Sequence, residues 1–265
     1  MTHNNFVMTE LQYKTFSRDG IRIRYSGPIK EEEYMKTAHE FLRKLIREFA
    51  RLSRLSFRKR IGATYFPYLF TERRLDSAVL PALSNICDGV VLTELPVERN
   101  MDDEQVHRGR VDYWCVYKGY TFVIEMKGAH AIFKGNMVKA REHSVKGRWR
   151  KMVEQLINVK EDCEYNLDER TKGIVRLGLH FITSMAKGDT DWDAVDEYRR
   201  DIDDRLDSMR RDIAKRFNNR SDYTPDFAAA WLIPDDMIEC CDFGTYPGVI
   251  LFAKILPPLR HKHKE

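Results

Sequence analysis

Apolar residues recur every three or four positions between residues 31 and 60, as they do on one face of an α-helix. The apolar stripe consists of Ala38, Phe41, Leu42, Leu45, Ile46, Phe49, Leu52 and Leu55. The opposite face is basic and carries Arg43, Lys44, Arg47, Arg51, Arg54 and Arg58. This basic face is either an ordinary solvated surface, which the pattern favours, or a surface that contacts phosphates.

Further periodic segments predict a sheet with helices on its faces. Helical spacing predicts helices at residues 71–85, with Thr71 as the cap, 144–160 and 191–217. Runs of β-branched and aromatic residues predict strands at residues 21–25, 89–98, 110–117, 120–127, 175–184, 227–233 and 249–256. Mixed strands and helices of this kind predict an α/β fold around one central mixed sheet, with N- and C-terminal additions.

This order of elements also suggests how the chain is divided. We expect an N-terminal helical and basic extension over residues 1–65 and a main domain over residues 66–265. The core of the main domain spans about residues 70–185, and a C-terminal helix and strands occupy residues 190–258. The core reads helix, three strands, helix, strand.

The most informative segment is a predicted hairpin whose two strands flank Lys118 and Gly119. If these two residues form the turn, Tyr117 pairs with Tyr120 and the numbers of paired residues sum to 237. Asp112 then lies opposite Glu125, and Lys127 follows on the same face because side chains alternate along a strand. Since Lys-Gly is not the most favourable turn pair, a bulge that shifts this register is the alternative.

Two carboxylates that face each other among apolar neighbours repel, unless a positive charge lies between them. A divalent cation that prefers oxygen ligands, such as Mg²⁺ or Mn²⁺, removes this repulsion. Lys127 adds a cation at the same edge, suited to a water nucleophile or a phosphate oxygen. The alternative is an ordinary salt bridge between Lys127 and one of the two acids. Because the acids repel, replacing Glu125 should not destabilise the protein.

Asp112, twelve intervening residues and then Glu125-Met126-Lys127 resemble the motif of the PD-(D/E)XK nuclease superfamily, which has the restriction-endonuclease-like fold. That family places an Asp on one strand and a (D/E)-x-K tripeptide on the next. Val111 stands where the family name has Pro. The resemblance covers about residues 70–185.

Two further residues match the family pattern. An upstream helix of the family often supplies a Glu, which Glu72 matches here, and the helix after the motif often carries a polar residue, which Gln155 matches. The E-x-K tripeptide alone occurs by chance, so the specificity comes from the preceding Asp, the strand context and these two positions together.

The resemblance implies Mg²⁺-dependent hydrolysis of phosphodiester bonds, with Mn²⁺ as a substitute, by an endo- or exodeoxyribonuclease. It implies that Asp112, Glu125 and the backbone carbonyl of Met126 hold the metal, with Glu72 bound to it directly or through water. It implies that Lys127 orients or deprotonates the attacking water, and that Gln155 lies near the site. Defence, restriction, repair and processing of mobile elements are all compatible biological roles.

A strongly basic segment follows the predicted hairpin. Residues 134–151 carry seven basic residues and one acid, for a net charge of +6 over 18 residues. The candidates for nucleic-acid contact are Lys134, Arg141, Lys146, Arg148 and Lys151. The alternative is a solvated loop and helix end. Because the segment adjoins the acidic motif, we expect it to contact the phosphate backbone, with DNA favoured over RNA as the partner.

The composition of the chain excludes several classes of protein but does not identify a function. The chain has 265 residues and a net charge of +4, too mild to identify a partner. Its five cysteines are odd in number and lack CxxC spacing, which disfavours a disulfide framework or a cysteine zinc site and favours a reducing cytoplasm. No apolar run reaches 18 residues and the first ten residues are polar, so we expect no membrane span and no secretory signal.

Two alternatives concern assembly and activity. The charged helix at residues 191–217 is expected to be a surface helix, and its near-heptad apolar stripe offers the alternative of a homodimer or partner-protein contact. The competing function is a catalytically silent nucleic-acid-binding or scaffold subunit with the same fold. A third interpretation is an unrelated enzyme in which the E-x-K tripeptide is accidental.

Overall fold

The structure of the protein is a computed structural model, and it describes residues 12–18, 21–27, 31–58, 72–100, 106–134, 137–139, 145–159, 171–186, 192–200, 202–234 and 245–259. The strands are β1 (Tyr13–Arg18), β2 (Ile21–Ser26), β3 (Leu92–Asn100), β4 (Val106–Tyr117), β5 (Tyr120–Lys134), β6 (Met137–Lys139), β7 (Gly173–Ala186), β8 (Phe227–Leu232) and β9 (Thr245–Leu259). The helices are α1 (Glu33–Arg58), α2 (Glu72–Ile86), α3 (Val145–Ile157), α4 (Trp192–Arg200) and α5 (Ile202–Arg216).

The described strands form one mixed sheet in the order β1-β2-β8-β9-β7-β5-β4-β3, and β6 pairs with β5. Among the pairs seen in these residues, β5 and β7 run parallel and the others run antiparallel. The crossover between β5 and β7 contains α3, as parallel neighbours require. The predicted α/β class with a central mixed sheet flanked by helices is therefore confirmed. The N-terminal segment contributes β1, β2 and α1 to this same sheet and core.

The turn between β4 and β5 fixes the register of the central hairpin. Both turn residues have positive φ, 51° at Lys118 and 78° at Gly119, as a type I′ turn requires. Lys118 is held in this conformation at both ends: its N–H donates to Asp88 Oδ2 at 2.5 Å, and its Nζ lies 2.6 Å from Glu40 Oε2. Pairing runs from Tyr117 with Tyr120 to residue 113 with residue 124, so the predicted register is confirmed over these pairs.

One face of the sheet is covered by α1, which packs through aromatic rings. Phe41 stacks on Phe122 of β5 with 4.5 Å between ring centroids. Phe49 contacts Phe181 of β7 and Trp231 of β8 at 5.2 and 5.6 Å. The predicted apolar stripe of α1 therefore enters the main hydrophobic core from Ala38 to Phe49, whereas Leu52 is half-buried and Leu55 is exposed.

The other face of β5 and β7 is covered by α3. Gly178 of β7 lies beside Glu125 in the parallel register, and a Cβ atom there would lie 2.7 Å from Met152 Cε and 2.8 Å from Leu156 Cδ1. The missing side chain at residue 178 therefore lets α3 pack closely against the sheet next to Glu125.

Several predicted boundaries differ from the structure. The helix predicted at residues 191–217 consists of two segments, α4 and α5, separated by residue 201, which lies outside the described residues. The strands β1 and β6 were not predicted. β1 is an edge strand whose described side chains are exposed or half-buried, so apolar alternation does not mark it. The available signal was the Asp19-Gly20 dipeptide between Arg18 and Ile21, which is typical of a hairpin turn. No helix in the described part of the chain is long and apolar enough to cross a membrane.

Candidate functional site

The candidate acids lie where regular pairing between β4 and β5 stops. The last ladder pair is Tyr113 with Ile124, one step before Asp112 and Glu125 would face each other. Instead of facing Glu125 in the ladder, Asp112 accepts the backbone N–H of Met126 through Oδ2 at 2.6 Å. This corrects the predicted direct opposition. A charged oxygen gains more from a backbone donor than from a second carboxylate, so the ladder opens at this point.

The other neighbour of β4 is also distorted at this level. Pairing between β3 and β4 omits Asp112, and the residue across from it, Glu94, has a φ of 53°. Positive φ is uncommon for a residue other than glycine, and interrupted pairing re-aims side chains in strands. Asp112 therefore lies at a local irregularity on both sides of its strand.

Lys127 brings the predicted site residues together. Its Nζ lies 3.9 Å from Asp112 Oδ2 and 3.8 Å from Glu125 Oε2, and it donates to the Met126 carbonyl at 2.8 Å. One ammonium group thus faces the three oxygens that the family resemblance assigns to a metal. Lys127 lies near both acids. The alternative expectation was an ordinary salt bridge between Lys127 and one acid.

Arg99 of β3 is a member of the site that sequence reasoning missed. Its Nη2 forms an ion pair with Glu125 Oε1 and also donates to the Arg110 carbonyl at 2.7 Å. The guanidinium passes over Gly109 of β4, where a Cβ atom would lie 2.6 Å from Arg99 Nε. The available signal was Gly109 itself, because an isolated glycine inside a strand often marks a close approach by another group.

Glu125 is the most deeply buried acid of this group, with 1% of its surface exposed. Burial raises the pKa of Glu125 from its ordinary value of 4.5 to about 7, and repulsion from Asp112 adds to the shift. The positive charges of Arg99 and Lys127 oppose the shift without cancelling it. The carboxyl group therefore titrates near neutral pH, as groups in functional sites often do.

A buried histidine and α3 hold the end of this segment of β5. His180 lies beside Lys127 in the parallel register, and its Nδ1 is 3.3 Å from the Lys127 carbonyl. Burial lowers the pKa of His180 to about 3, so its ring is neutral at physiological pH. From α3, Arg148 Nη1 donates to the Gly128 carbonyl, which ties the basic helix to the strand directly after Lys127.

The structure describes the two remaining predicted site residues, Glu72 and Gln155, to different extents. Glu72 begins α2, but its side chain lies outside the described residues. One turn later Asp76 accepts a hydrogen bond from the hydroxyl of Tyr113, which links α2 to the strand that carries Asp112. Gln155 is half-buried on α3, and its Oε1 is buried without a hydrogen-bond donor in the described part of the chain.

The basic candidates also divide into described and undescribed groups. Lys146 is half-buried on α3, and Arg148 and Lys151 are exposed there. Lys134 belongs to β5, but its side chain lies outside the described residues, as does Arg141 entirely. The structure therefore places three of the five basic candidates on one helix beside the acidic site.

The donor set suits a hard divalent cation by its chemistry. Among the described residues, no group of three or more His, Cys, Asp or Glu side chains is arranged to hold a metal ion. The oxygens around Lys127 nevertheless come from two carboxylates, Asp112 and Glu125, and one carbonyl. Mg²⁺ is typically bound by one or two carboxylates and keeps several of its waters, so these oxygens are ligands of the type that it uses.

Comparison with known proteins does not identify a relative. No family model matches the chain, and neither curated proteins nor solved structures yield a match.

Proposed function

We propose that this protein is a metal-dependent nuclease with a restriction-endonuclease-like fold, and that it hydrolyses phosphodiester bonds in DNA. The observation that carries the proposal is the convergence of Asp112, Glu125 and the Met126 carbonyl around Lys127. The order of elements α2-β3-β4-β5-β6-α3-β7 supports it, because apart from the three-residue strand β6 this is the helix, three strands, helix, strand order that the resemblance implies.

In this proposal, Asp112, Glu125 and the Met126 carbonyl hold Mg²⁺ or Mn²⁺, and Glu72 contributes from the start of α2. The bound ion would polarise a phosphoryl oxygen and lower the pKa of a bound water. Lys127 orients the attacking water and offsets negative charge on the phosphate, which its position among the acidic oxygens supports. Gln155 has a buried amide oxygen without a described donor, which suits a polar role beside the site.

The basic segment supplies the second half of the proposal. Lys146, Arg148 and Lys151 of α3, together with Lys134 and Arg141, contact the phosphate backbone of the substrate. Arg148 also bonds the Gly128 carbonyl, so it fixes the helix relative to the acids. Such contacts position a nucleic acid without reading its sequence.

One observation favours the catalytically silent alternative. Arg99 and Lys127 together neutralise Asp112 and Glu125, so these four residues form a balanced network without a metal. If this network is permanent, the fold binds nucleic acid through α3 and performs no chemistry at the acids.

A cleavage assay with matched variants separates the two functions. Plasmid, linear duplex and single-stranded DNA, and RNA, are incubated with the full chain in Mg²⁺, Mn²⁺ or EDTA. We expect DNA cleavage that requires the divalent ion and is lost in Glu125→Ala, while Glu31→Ala, an exposed acid just before α1, retains it. Metal-dependent cleavage that survives in Glu125→Ala would remove this site from the mechanism. DNA binding without cleavage in any condition would establish the silent alternative.

A further inference from the structure

The four charged side chains at the end of the β4–β5 ladder cancel each other. In their ionised forms, Asp112 and Glu125 contribute two negative charges, and Arg99 and Lys127 contribute two positive charges. Arg99 occupies Oε1 of Glu125, whereas Lys127 lies near Oε2, on the side where Asp112 and the Met126 carbonyl also lie. We call these four side chains the charge cluster.

The position of Arg99 is specified by its surroundings and is not an incidental surface contact. Its side chain is only 11% exposed, and it crosses β4 at Gly109, where a Cβ would collide with it. The Arg110 carbonyl fixes the same Nη2 atom that contacts Glu125. A guanidinium keeps its charge at all ordinary pH values, so this positive charge is constant.

A neutral cluster gives a divalent cation little net attraction. A Mg²⁺ bound between Asp112 and Glu125 would bring the cluster to a charge of +2, with the guanidinium of Arg99 repelling the ion. An anionic phosphodiester would bring the cluster back toward neutrality. Coulombic energy in a partly buried site therefore favours binding of the metal and the phosphate together over binding of the metal alone.

We propose that Arg99 is a positioning residue that couples metal binding to nucleic-acid binding, by balancing Glu125 until both ligands arrive. The inference rests on the proposed function, since it takes the acids as the metal site. Without Arg99 the remaining cluster carries a net charge of −1 and attracts a cation by itself. Coupling of this type is reciprocal, so the metal also tightens nucleic-acid binding by the same factor.

Metal binding tests the inference without any measurement of cleavage. Mn²⁺ affinity is measured at pH 8 on the full chain by electron paramagnetic resonance, with and without a short phosphorothioate DNA duplex that resists hydrolysis. We expect Arg99→Gln to raise the Mn²⁺ affinity in the absence of DNA by about tenfold or more, the size of effect that a charge within a few ångströms exerts on an ionic equilibrium. The gain in affinity caused by DNA should shrink correspondingly.

Three further variants isolate the cause. Arg99→Lys keeps the charge, so its Mn²⁺ affinity should stay near that of the unmodified protein. Gly109→Ala keeps every charge but places a Cβ against the guanidinium, so it should displace Arg99 and behave like Arg99→Gln. Arg110→Gln removes a neighbouring exposed arginine and should change nothing. Circular dichroism verifies that each variant is folded. If Arg99→Gln does not fold, Gly109→Ala provides the test.

The outcomes distinguish failure of this inference from failure of the proposed function. Unchanged Mn²⁺ affinity in both Arg99→Gln and Gly109→Ala would overturn the inference, as would an Arg99→Lys variant that binds as tightly as Arg99→Gln. If the inference is overturned in this way but Glu125→Gln no longer binds Mn²⁺, the proposed metal site is still supported. If Glu125→Gln binds Mn²⁺ as the unmodified protein does, or if no variant binds it, the proposed function fails together with the inference.

Discussion

The two faces of β5 contrast sharply in chemistry although both are buried. Toward α1 the strand presents Phe122, Ile124 and Met126 to an aromatic core. Toward α3 the same segment presents Glu125 and Lys127, next to a neutral buried His180. A single strand thus supplies hydrophobic burial on one side and costly buried charge on the other.

The contrast shows how the cost of buried charge is met. The apolar face gains free energy from every contact that excludes water, whereas ionised groups are retained only when oppositely charged groups and hydrogen bonds surround them. Here the compensation comes from β3 through Arg99 and from the open end of the ladder, where Asp112 bonds the Met126 N–H. We therefore expect stability to depend mainly on the α1 face, and chemistry on the α3 face.

The largest expected effect is on cleavage, from Lys127→Gln. Removing the ammonium that faces both acids should lower kcat for DNA cleavage by about 10²–10⁴-fold, the usual contribution of a proton-transfer group. Single-turnover kinetics measure it. The matched control is Met126→Leu, one residue away on the opposite face, which keeps the backbone carbonyl and nearly the same volume. A comparable decrease in Met126→Leu would show that the two faces are not functionally separate.

On the apolar face, Phe49→Ala should lower the free energy of unfolding by about 3–5 kcal/mol, the usual cost of removing a buried aromatic ring. Phe49 is fully buried and packs against two other aromatic rings, so the cavity cannot collapse easily. Urea denaturation measures the change. Leu55→Ala, at an exposed position of the same helix, should change it by less than about 0.5 kcal/mol. Loss of Mn²⁺ binding in a folded Phe49→Ala variant would show that the apolar face of β5 also determines the function of the charged face.

The charged face should make stability depend on pH. Because the pKa of Glu125 is raised from 4.5 to about 7, the unfolded chain releases this proton before the folded protein does. The contribution of Glu125 to stability should therefore fall as the pH rises from 4.5 to 7, and stay constant above that. The full difference amounts to about 3 kcal/mol.

The variant Glu125→Gln isolates this dependence. His39 and His180 have lowered pKa values, about 4 and 3, so they change stability in the opposite direction, with stability decreasing as the pH falls below 6.5. Both histidines remain in the variant, so the difference between the two unfolding curves reports Glu125 alone. We expect Glu125→Gln and the unmodified protein to have similar free energies of unfolding near pH 4, and the variant to be the more stable of the two at pH 8. A difference that does not vary between pH 4.5 and 7 would contradict the raised pKa.

The smallest expected effect concerns the basic face of α3. Replacing Arg148 and Lys151 together by Ala should weaken binding to unrelated duplexes about equally. The slope of log affinity against log salt should flatten by about 0.9 for each phosphate that is no longer neutralised. Fluorescence anisotropy over a salt series measures it. Lys172→Ala is the control, because Lys172 is exposed and paired with Glu33 at 2.6 Å. An unchanged slope in the double variant would move the phosphate-binding surface elsewhere, first to the basic face of α1.

The central hairpin could be predicted because a two-residue turn fixes the register of every pair that follows. That rule placed Tyr113 across from Ile124 correctly. It failed at Asp112, since a carboxylate prefers a backbone donor to a second carboxylate, and no counting rule contains this preference. Proximity of the acids to Lys127 was nevertheless predicted, because side-chain alternation survives a local opening of the ladder.

Arg99 could not be predicted from spacing. Its contact with Glu125 spans two strands and depends on the β3–β4 register, in which Val97 pairs with Gly109. The sequence between β3 and β4 contains no short turn signal that would fix this register, so the arginine had no predicted partner. The edge strand β1 could have been predicted from Asp19-Gly20, a sequence typical of two-residue hairpin turns, which lies between Arg18 and Ile21, the first pair of the β1–β2 ladder.

The position of the charge cluster along the chain has a consequence for the order of folding. All four side chains come from consecutive antiparallel strands, β3 to β5, whereas the other half of the sheet is completed by the β2–β8 and β7–β9 pairs, which join distant stretches of chain. Short loops close at a smaller entropic cost, so local pairings form first. Pulse-labelled hydrogen exchange should therefore show protection of the β4–β5 hydrogen bonds before those of the β2–β8 and β7–β9 pairs. The two carboxylates would then meet while water still surrounds them, when their repulsion is weakest, and docking of α3 would bury them afterwards.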